Sequence, residues 1–324
     1  MDKLTSIIEP IRKELEEFNH SFKESLMGHS KDYQEMLNYV SLSSGKHIRP
    51  ILLLLSAKLC GTPNSRTIDS SVIIELIHTM TLIHDDVVDN TMERRKIPSV
   101  NARFDNRMAV LLGDYILTIA IVKGVAMNNR HILELLSKLS RNLVDGELSQ
   151  LVTSQKHIID EQRYFEVIRK KTALLLSSST EMGAISVDAN KETQALLREI
   201  GENLGTIFQI KDDIFDYFEQ GELGKPTGND IREGKITLPL IHALKVAPTD
   251  QSAPFYEMID RQDFTPETIA HLTDFAKAQG GIEYAEQKMQ EIKEKTLRQL
   301  DVFPDSEVKE AFRLLIDFII DRKQ

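Results

Sequence analysis

The sequence predicts an all-α fold, and three observations lead there. Apolar residues recur at helical spacing along most of the chain, sustained two-residue alternation is nearly absent, and only 15 glycines and 10 prolines punctuate 324 residues. A β-fold needs more turns than that. Helices are expected over about residues 4–27, 31–41, 49–60, 67–90, 106–126, 130–155, 161–187, 191–218, 236–246, 265–278 and 281–300, with ends uncertain by a few residues. Pro50 sits at the start of one of them, where its missing N–H is tolerated. Turn residues mark breaks at Gly61 to Ser65, Arg94 to Pro98, Glu219 to Asp230 and Ala247 to Pro254. There is no short repeat, low-complexity tract or long linker. Residues 1–324 therefore read as one domain, a large bundle of antiparallel helices.

Composition narrows the function. Forty basic against fifty acidic side chains leave a net charge of −10, which argues against a nucleic-acid partner, since such a partner needs a basic face. The one cysteine, Cys60, allows neither an intrachain disulfide nor a thiolate zinc cluster, and a cytoplasmic setting is expected. Met1-Asp2-Lys3-Leu4-Thr5 opens no apolar signal core. Stretches such as Tyr115 to Val122, bounded by Asp114 and Lys123, are too short to span a bilayer. No transmembrane segment is expected.

Two segments resemble each other. His84-Asp85-Asp86-Val87-Val88-Asp89 closes one apolar helix, and Lys211-Asp212-Asp213-Ile214-Phe215-Asp216 closes another. In each, the first and last aspartates are four apart and share a helical face. Like charges at that spacing weaken an isolated helix. A single such motif reads equally well as a solvated helix end. Two copies after apolar runs point instead to carboxylates that share protons or bind cations. Hard oxygen ligands beside substrate phosphates suit magnesium, and the spacing excludes an EF-hand.

Positive groups accompany the motifs. Gly45-Lys46-His47-Ile48-Arg49-Pro50 precedes a helix, Arg94-Arg95 follows the first motif, Lys170-Lys171-Thr172 precedes an apolar run, and Gly224-Lys225-Pro226 and Gly234-Lys235 follow the second motif. Each pair alone reads as solvated surface. Together they flank an acidic metal site with arginine forks and lysine point charges, a mixture suited to a diphosphate. No P-loop spacing is present.

At this point the chain resembles the trans-isoprenyl diphosphate synthase family, in particular its polyprenyl and octaprenyl members. The resemblance runs from about Gly45 to Leu244. It rests on GKHIRP, ELIHTMTLIHDDVVDN with the following ERR, AVLLGDYIL, RKKTA and FQIKDDIFDYFEQGELGKPTGNDIREGKITLPLIHAL. It implies a helical bundle around a central cavity, of the isoprenoid synthase type. Asp85, Asp89 and Asp212 would bind magnesium, supported by Asp86, Asp213 and Asp216, with the two acidic ends facing one another. Arg94, Lys171, Lys225 and Lys235 would hold an allylic diphosphate, while Lys46, Arg49, His78 and Arg95 would hold isopentenyl diphosphate. A helical histidine such as His78 is usually a core residue, and only its place before the first motif matches the family's substrate histidine. Thr172 and Gln209 would line the reacting centre.

The implied reaction is ionisation, condensation and elimination, giving an all-trans product. Its growing tail would run down the helix before Asp85, past Thr81 and Met80, four and five residues earlier. Short-chain members tend to have an aromatic there and long-chain members a small residue. Met80 departs from both and is flexible, Ile77, Ile74 and Ile73 below it form no aromatic plug, and a product of about hexaprenyl to octaprenyl is expected. A homodimer, with transient membrane contact for product release, is implied by the family alone. The alternatives are a short-chain farnesyl or geranylgeranyl diphosphate synthase, a terpene cyclase, a noncatalytic partner subunit and a plain helical scaffold.

Overall fold

A computed structural model describes residues 3–28, 30–42, 45–218 and 228–322. Among these the fold is all-α apart from one small hairpin. The helices are α1 (Lys3–Ile8), α2 (Arg12–Ser25), α3 (Lys31–Leu42), α4 (Ile48–Cys60), α5 (Ser65–Val88), α6 (Val100–Phe104), α7 (Asn106–Ala126), α8 (Arg130–Gln155), α9 (Glu161–Ile168), α10 (Leu174–Ser186) and α11 (Lys191–Phe215). They continue with α12 (Asn229–Arg232), α13 (Leu238–Val246), α14 (Thr249–Asp260), α15 (Pro266–Ala278), α16 (Gly281–Leu300) and α17 (Glu307–Asp321).

Most of these match the sequence expectation, and the differences have local causes. Pro10 interrupts the first expected helix, where Glu9–Ile11 tightens to a 3₁₀ turn. The span 161–187 is divided by a π-helical turn at Arg169–Ala173. The supposed turn from Ala247 to Pro254 is largely α14, with Pro254 inside it. Pro254 is the sixth residue of that helix and forfeits the bond its N–H would have made to the Asp250 carbonyl. The short α6 and α12 were not anticipated, nor was α17. Yet α17 buries Phe312, Leu315, Ile316 and Ile319 at helical spacing, a pattern open to sequence reading.

The described residues sort into two compact units, each drawn from three stretches of chain. In the first, α5 packs against α2, α4, α6 and α7. Asn64 caps its start, accepting from the Arg66 N–H while Thr67 accepts the Asn64 N–H. Residues Val72 to Ile77 are buried without interruption, Glu75 included. Such a helix is enclosed on all sides, so its apolar residues form no single stripe. Leu52 to Leu55 of α4 are likewise fully buried.

Of the described helices, α7 alone is long and apolar enough to cross a membrane, although the stretch Tyr115 to Val122 within it is by itself too short to span a bilayer. One side of it, with Ala109, Leu112, Ile116 and Ala120, is buried. Its other side exposes Leu111, Ile121, Val122 and Val125. In the second unit α13 packs with α9, α14, α15 and α16.

Gly183 of α10 lets that helix lie directly on α4, because a Cβ there would fall 2.4 Å from the Leu53 carbonyl oxygen. Backbone cannot move aside as a side-chain tip can. Gly183→Ala should therefore lower stability by about 1–3 kcal/mol, read as a lower denaturant midpoint at unchanged slope.

Candidate active site

The first motif closes α5. Asp89 caps the helix through its N–H to the Asp85 carbonyl at 2.8 Å, so the two aspartates stand one turn apart, as their spacing requires. Asp85 is half-buried and Asp89 exposed. Asp86 points elsewhere and is 3% exposed. Its carboxylate accepts Arg94 Nε at 2.9 Å and Nη2 at 2.6 Å, a paired fork that compensates a buried charge. Its carbonyl accepts the Thr91 N–H at 2.9 Å and the Asn101 side chain at 3.3 Å. Asp86 thus ties the helix end to the segment that carries the arginines.

That segment is the hairpin, β1 (Glu93–Arg94) against β2 (Ile97–Pro98), with Arg94 opposite Ile97. Its two turn residues, Arg95 and Lys96, both have positive φ, 55° and 66°. A two-residue turn of this hand suits strand twist but normally takes Asn-Gly. Holding two long side chains there costs roughly 1–3 kcal/mol each. The result directs Arg95 back onto Gly45, where a Cβ would lie 2.4 Å from Arg95 Nη2. Gly45 makes room for the guanidinium.

Gly45, Glu75, His78, Thr79, Arg94 and Arg95 line one pocket with Asp86. Arg49 Nη1 lies 2.9 Å from His78 Nε2. A guanidinium can only donate, so Nε2 accepts and the ring proton sits on Nδ1. Burial, and then the charges of Arg49, Arg95, Arg94 and His47, keep this imidazole neutral, well below its ordinary range. Burial and the neighbouring Arg94 also lower the proton affinity of Arg95, against the pull of Glu75. Sequence reasoning missed Glu75 and gave His47 no role. Glu75 Oε1 lies 3.4 Å from His47 Nδ1. The signal was one carboxylate inside the apolar run Ile73 to Ile77. Lys46 lies in the short segment before α4. Met80 is 8% exposed within α5, and Thr81 Oγ1 donates to the His78 carbonyl at 2.9 Å.

The second motif closes α11, in the second unit. Asp213 is 4% exposed and accepts Tyr164 Oη at 2.6 Å and Gln209 Nε2 at 2.8 Å. Gln209 Oε1 in turn accepts Thr172 Oγ1 at 2.6 Å. The Gln209 amide, expected to face the reacting centre, is thus engaged between Thr172 and Asp213. Burial pushes the Asp213 carboxyl up to about 7, aided by Asp212 and Asp216 and opposed by its two hydrogen bonds. Burial, then Asp213 and Asp216, hold Asp230 well above the ordinary carboxylate range against Lys235. Asp216 accepts the N–H groups of Asn229 and Asp230, both at 2.9 Å. Asp212 meets Arg322, whose Nη2 is 2.5 Å from its Oδ1.

Lys171 and Thr172 lie on the π-helical turn, where α11 approaches so closely that a Cβ on Gly205 would come within 2.4 Å of Ala173 Cα. π-turns of this kind often mark functional positions. Lys171 Nζ is 3.1 Å from Glu147, and Lys235 Nζ is 2.5 Å from Glu233. Tyr164, Lys171, Thr172, Gln209, Asp213 and Lys235 line a second pocket with Asp230. Lys225 lies outside the described residues. Tyr164, Asp230 and Arg322 were not singled out from sequence, although Asp230 stands inside a quoted motif.

Among the described residues no three His, Cys, Asp or Glu side chains form a ready-made metal cage. The donor set nevertheless fits a hard divalent cation. Such an ion keeps waters and substrate phosphates and needs only one or two carboxylates. Burial, and then the neighbouring carboxylates, raise the proton affinity of both Asp213 and Asp230, and positive charge nearby would lower it again.

Comparison with known proteins agrees with this chemistry. Residues 30–275 match the model of the family described as polyprenyl synthetase. Octaprenyl diphosphate synthase of Escherichia coli is 32% identical over 95% of this chain and 99% of its own. The crystal structure of geranylgeranyl pyrophosphate synthase from Bacteroides thetaiotaomicron superposes with a TM-score of 0.86 at 38% identity, covering 99% of this chain and 100% of that one. A polyprenyl synthase from Caulobacter crescentus, complexed with calcium and isoprenyl diphosphate, gives 0.90 at 30% identity, over 99% and 98% of the two chains. The chain belongs to the polyprenyl synthetase family and is a prenyltransferase.

Proposed function

We propose that this prenyltransferase is a magnesium-dependent all-trans polyprenyl diphosphate synthase, formed by residues 1–324 as one functional domain, that joins isopentenyl diphosphate to an allylic diphosphate. One observation carries the reading. In a chain of net charge −10, Arg94 and Arg95 line a pocket with a neutral His78 that is bonded to Arg49. Three guanidinium groups around an uncharged imidazole make a seat for a dense anion. A terpene cyclase or a scaffold has no use for a second diphosphate site beside the acidic one.

In this reading Lys46, Arg49, His78 and Arg95 hold isopentenyl diphosphate, and Arg94, Lys171, Lys225 and Lys235 the allylic diphosphate. Asp85, Asp89 and Asp212 would hold magnesium, which stabilises the departing diphosphate. The lysines share that work as the allylic C–O bond breaks. The double bond of isopentenyl diphosphate, oriented by the arginines, attacks the allylic cation. The proton then lost from the condensed intermediate passes to the released diphosphate. Asp86 and Asp213 act by fixing Arg94 and Gln209 rather than by touching substrate.

Product length is proposed as about hexaprenyl to octaprenyl, with the tail passing Met80 and Thr81. The short-chain alternative is kept because of the 38% identity to a geranylgeranyl pyrophosphate synthase. The exposed apolar side of α7 supports a homodimer, and a cytoplasmic enzyme that meets membrane only to release product fits the reading.

Purified protein given magnesium, isopentenyl diphosphate and farnesyl diphosphate should release diphosphate and elongate the primer; no release sinks the reading. In the same assay Asp85→Ala should lower kcat by roughly a hundredfold or more, and near-normal turnover at saturating magnesium removes its role as a metal ligand. Met80→Ala should shift the products to longer chains by chromatography, whereas an unchanged distribution excludes Met80 from the channel wall. In sedimentation the wild type should run at twice the chain mass and Val122→Glu as a monomer. A dimeric Val122→Glu would move the interface off α7.

A further inference from the structure

We propose that Arg322 is a built-in occupant of the metal site: in the substrate-free protein it holds the carboxylate of Asp212, and a divalent cation arriving with diphosphate has to displace it. The inference rests on the reading of Asp212 as a metal ligand.

The contact is specific. Arg322 directly follows α17. Its Nη2 is 2.5 Å from Asp212 Oδ1 and 2.9 Å from the carbonyl oxygen of Phe208, one helical turn earlier on α11. The guanidinium carbon lies 3.8 Å above the Phe208 ring and 5.7 Å from that of Phe215. Only 14% of the side chain is exposed. Arg322 therefore bridges a carboxylate to a backbone oxygen and stacks on an aromatic face, contacts a guanidinium makes well and an ammonium does not.

It is also an expensive placement. Its Nε is buried without a hydrogen-bond partner. A purely structural arginine gains most when every donor of its fork is matched. Here the side chain is held chiefly by the one carboxylate that the reaction requires for something else. Asp212 stands at the negative end of α11 beside Asp213 and Asp216, so some positive charge is needed there when no cation is bound. A guanidinium on Oδ1 and a divalent ion compete for this carboxylate, because like charges a few ångström apart repel. Diphosphate supplies the negative charge that lets the ion win.

The full-length protein tests this without turnover. Manganese serves as a paramagnetic stand-in for a hard divalent ion, and its binding is followed by electron paramagnetic resonance in the absence of diphosphate. Arg322→Gln should bind manganese about tenfold more tightly than wild type, equivalent to roughly 1.4 kcal/mol. Arg322→Lys should bind with an affinity between the two. Equal or weaker binding by Arg322→Gln overturns the proposal. So does a gain that persists when Asp212→Asn is added, since Arg322 would then not act through that carboxylate. In the wild type, hydrogen exchange at residues 315–322 should quicken when magnesium and inorganic diphosphate are added together; unchanged or slower exchange also overturns it. Prenyl transfer by the wild type decides the proposed activity separately, so the two failures are distinguishable.

Discussion

Carboxylates gathered at the C-terminal end of a buried helix are in the wrong place electrostatically, and this chain puts them there twice. The end of α5 carries Asp85, Asp86 and Asp89, and that of α11 carries Asp212, Asp213 and Asp216. The helix dipole is negative at that end, and each aspartate also opposes its neighbours. The surrounding structure supplies what compensation it can. Asp86 and Asp212 are paired with the guanidinium groups of Arg94 and Arg322, Asp216 accepts two backbone N–H groups, and Asp213 accepts a tyrosine and a glutamine. Asp230, which has Lys235 nearby, still holds its proton well beyond the ordinary range. The remaining deficit in positive charge is what a divalent cation would relieve.

Helix geometry also divides labour within each motif. The first and last aspartates share a face, and the second is turned about 100° away, toward the packed side. Asp86 and Asp213 are accordingly the buried members, 3% and 4% exposed, and each is engaged by protein groups. Asp85, Asp89 and Asp212 are more open. Two stretches of similar sequence thus reach the same division in different units of the fold, because the same periodicity acts on both.

Arg94, Arg95 and Lys171 are positioned by irregular backbone, whereas Arg49 sits in the first turn of α4. Arg94 and Arg95 belong to a hairpin whose turn residues are both left-handed, and Lys171 and Thr172 to a π-turn between α9 and α10. Each irregularity is held from outside: the hairpin by Asp86 and Asn101, the π-turn by the close approach of Gly205. Strain of this kind persists only where neighbours over-determine the conformation. Substitutions at those neighbours should therefore misplace the cations without touching them.

The all-α class, most helix spans and the two aspartate motifs could be read from the chain alone, since periodicity and spacing are local properties that a helix converts directly into shared faces. The density of glycines and prolines and the acidic background were equally legible. Tertiary contact decided the rest. That Thr172 reaches Gln209, that Glu75 lies beside His47, and that Arg322 reaches Asp212 across 110 residues are pairings between distant positions. Nothing in local spacing encodes them, because they exist only once packing has brought separate elements within hydrogen-bond range.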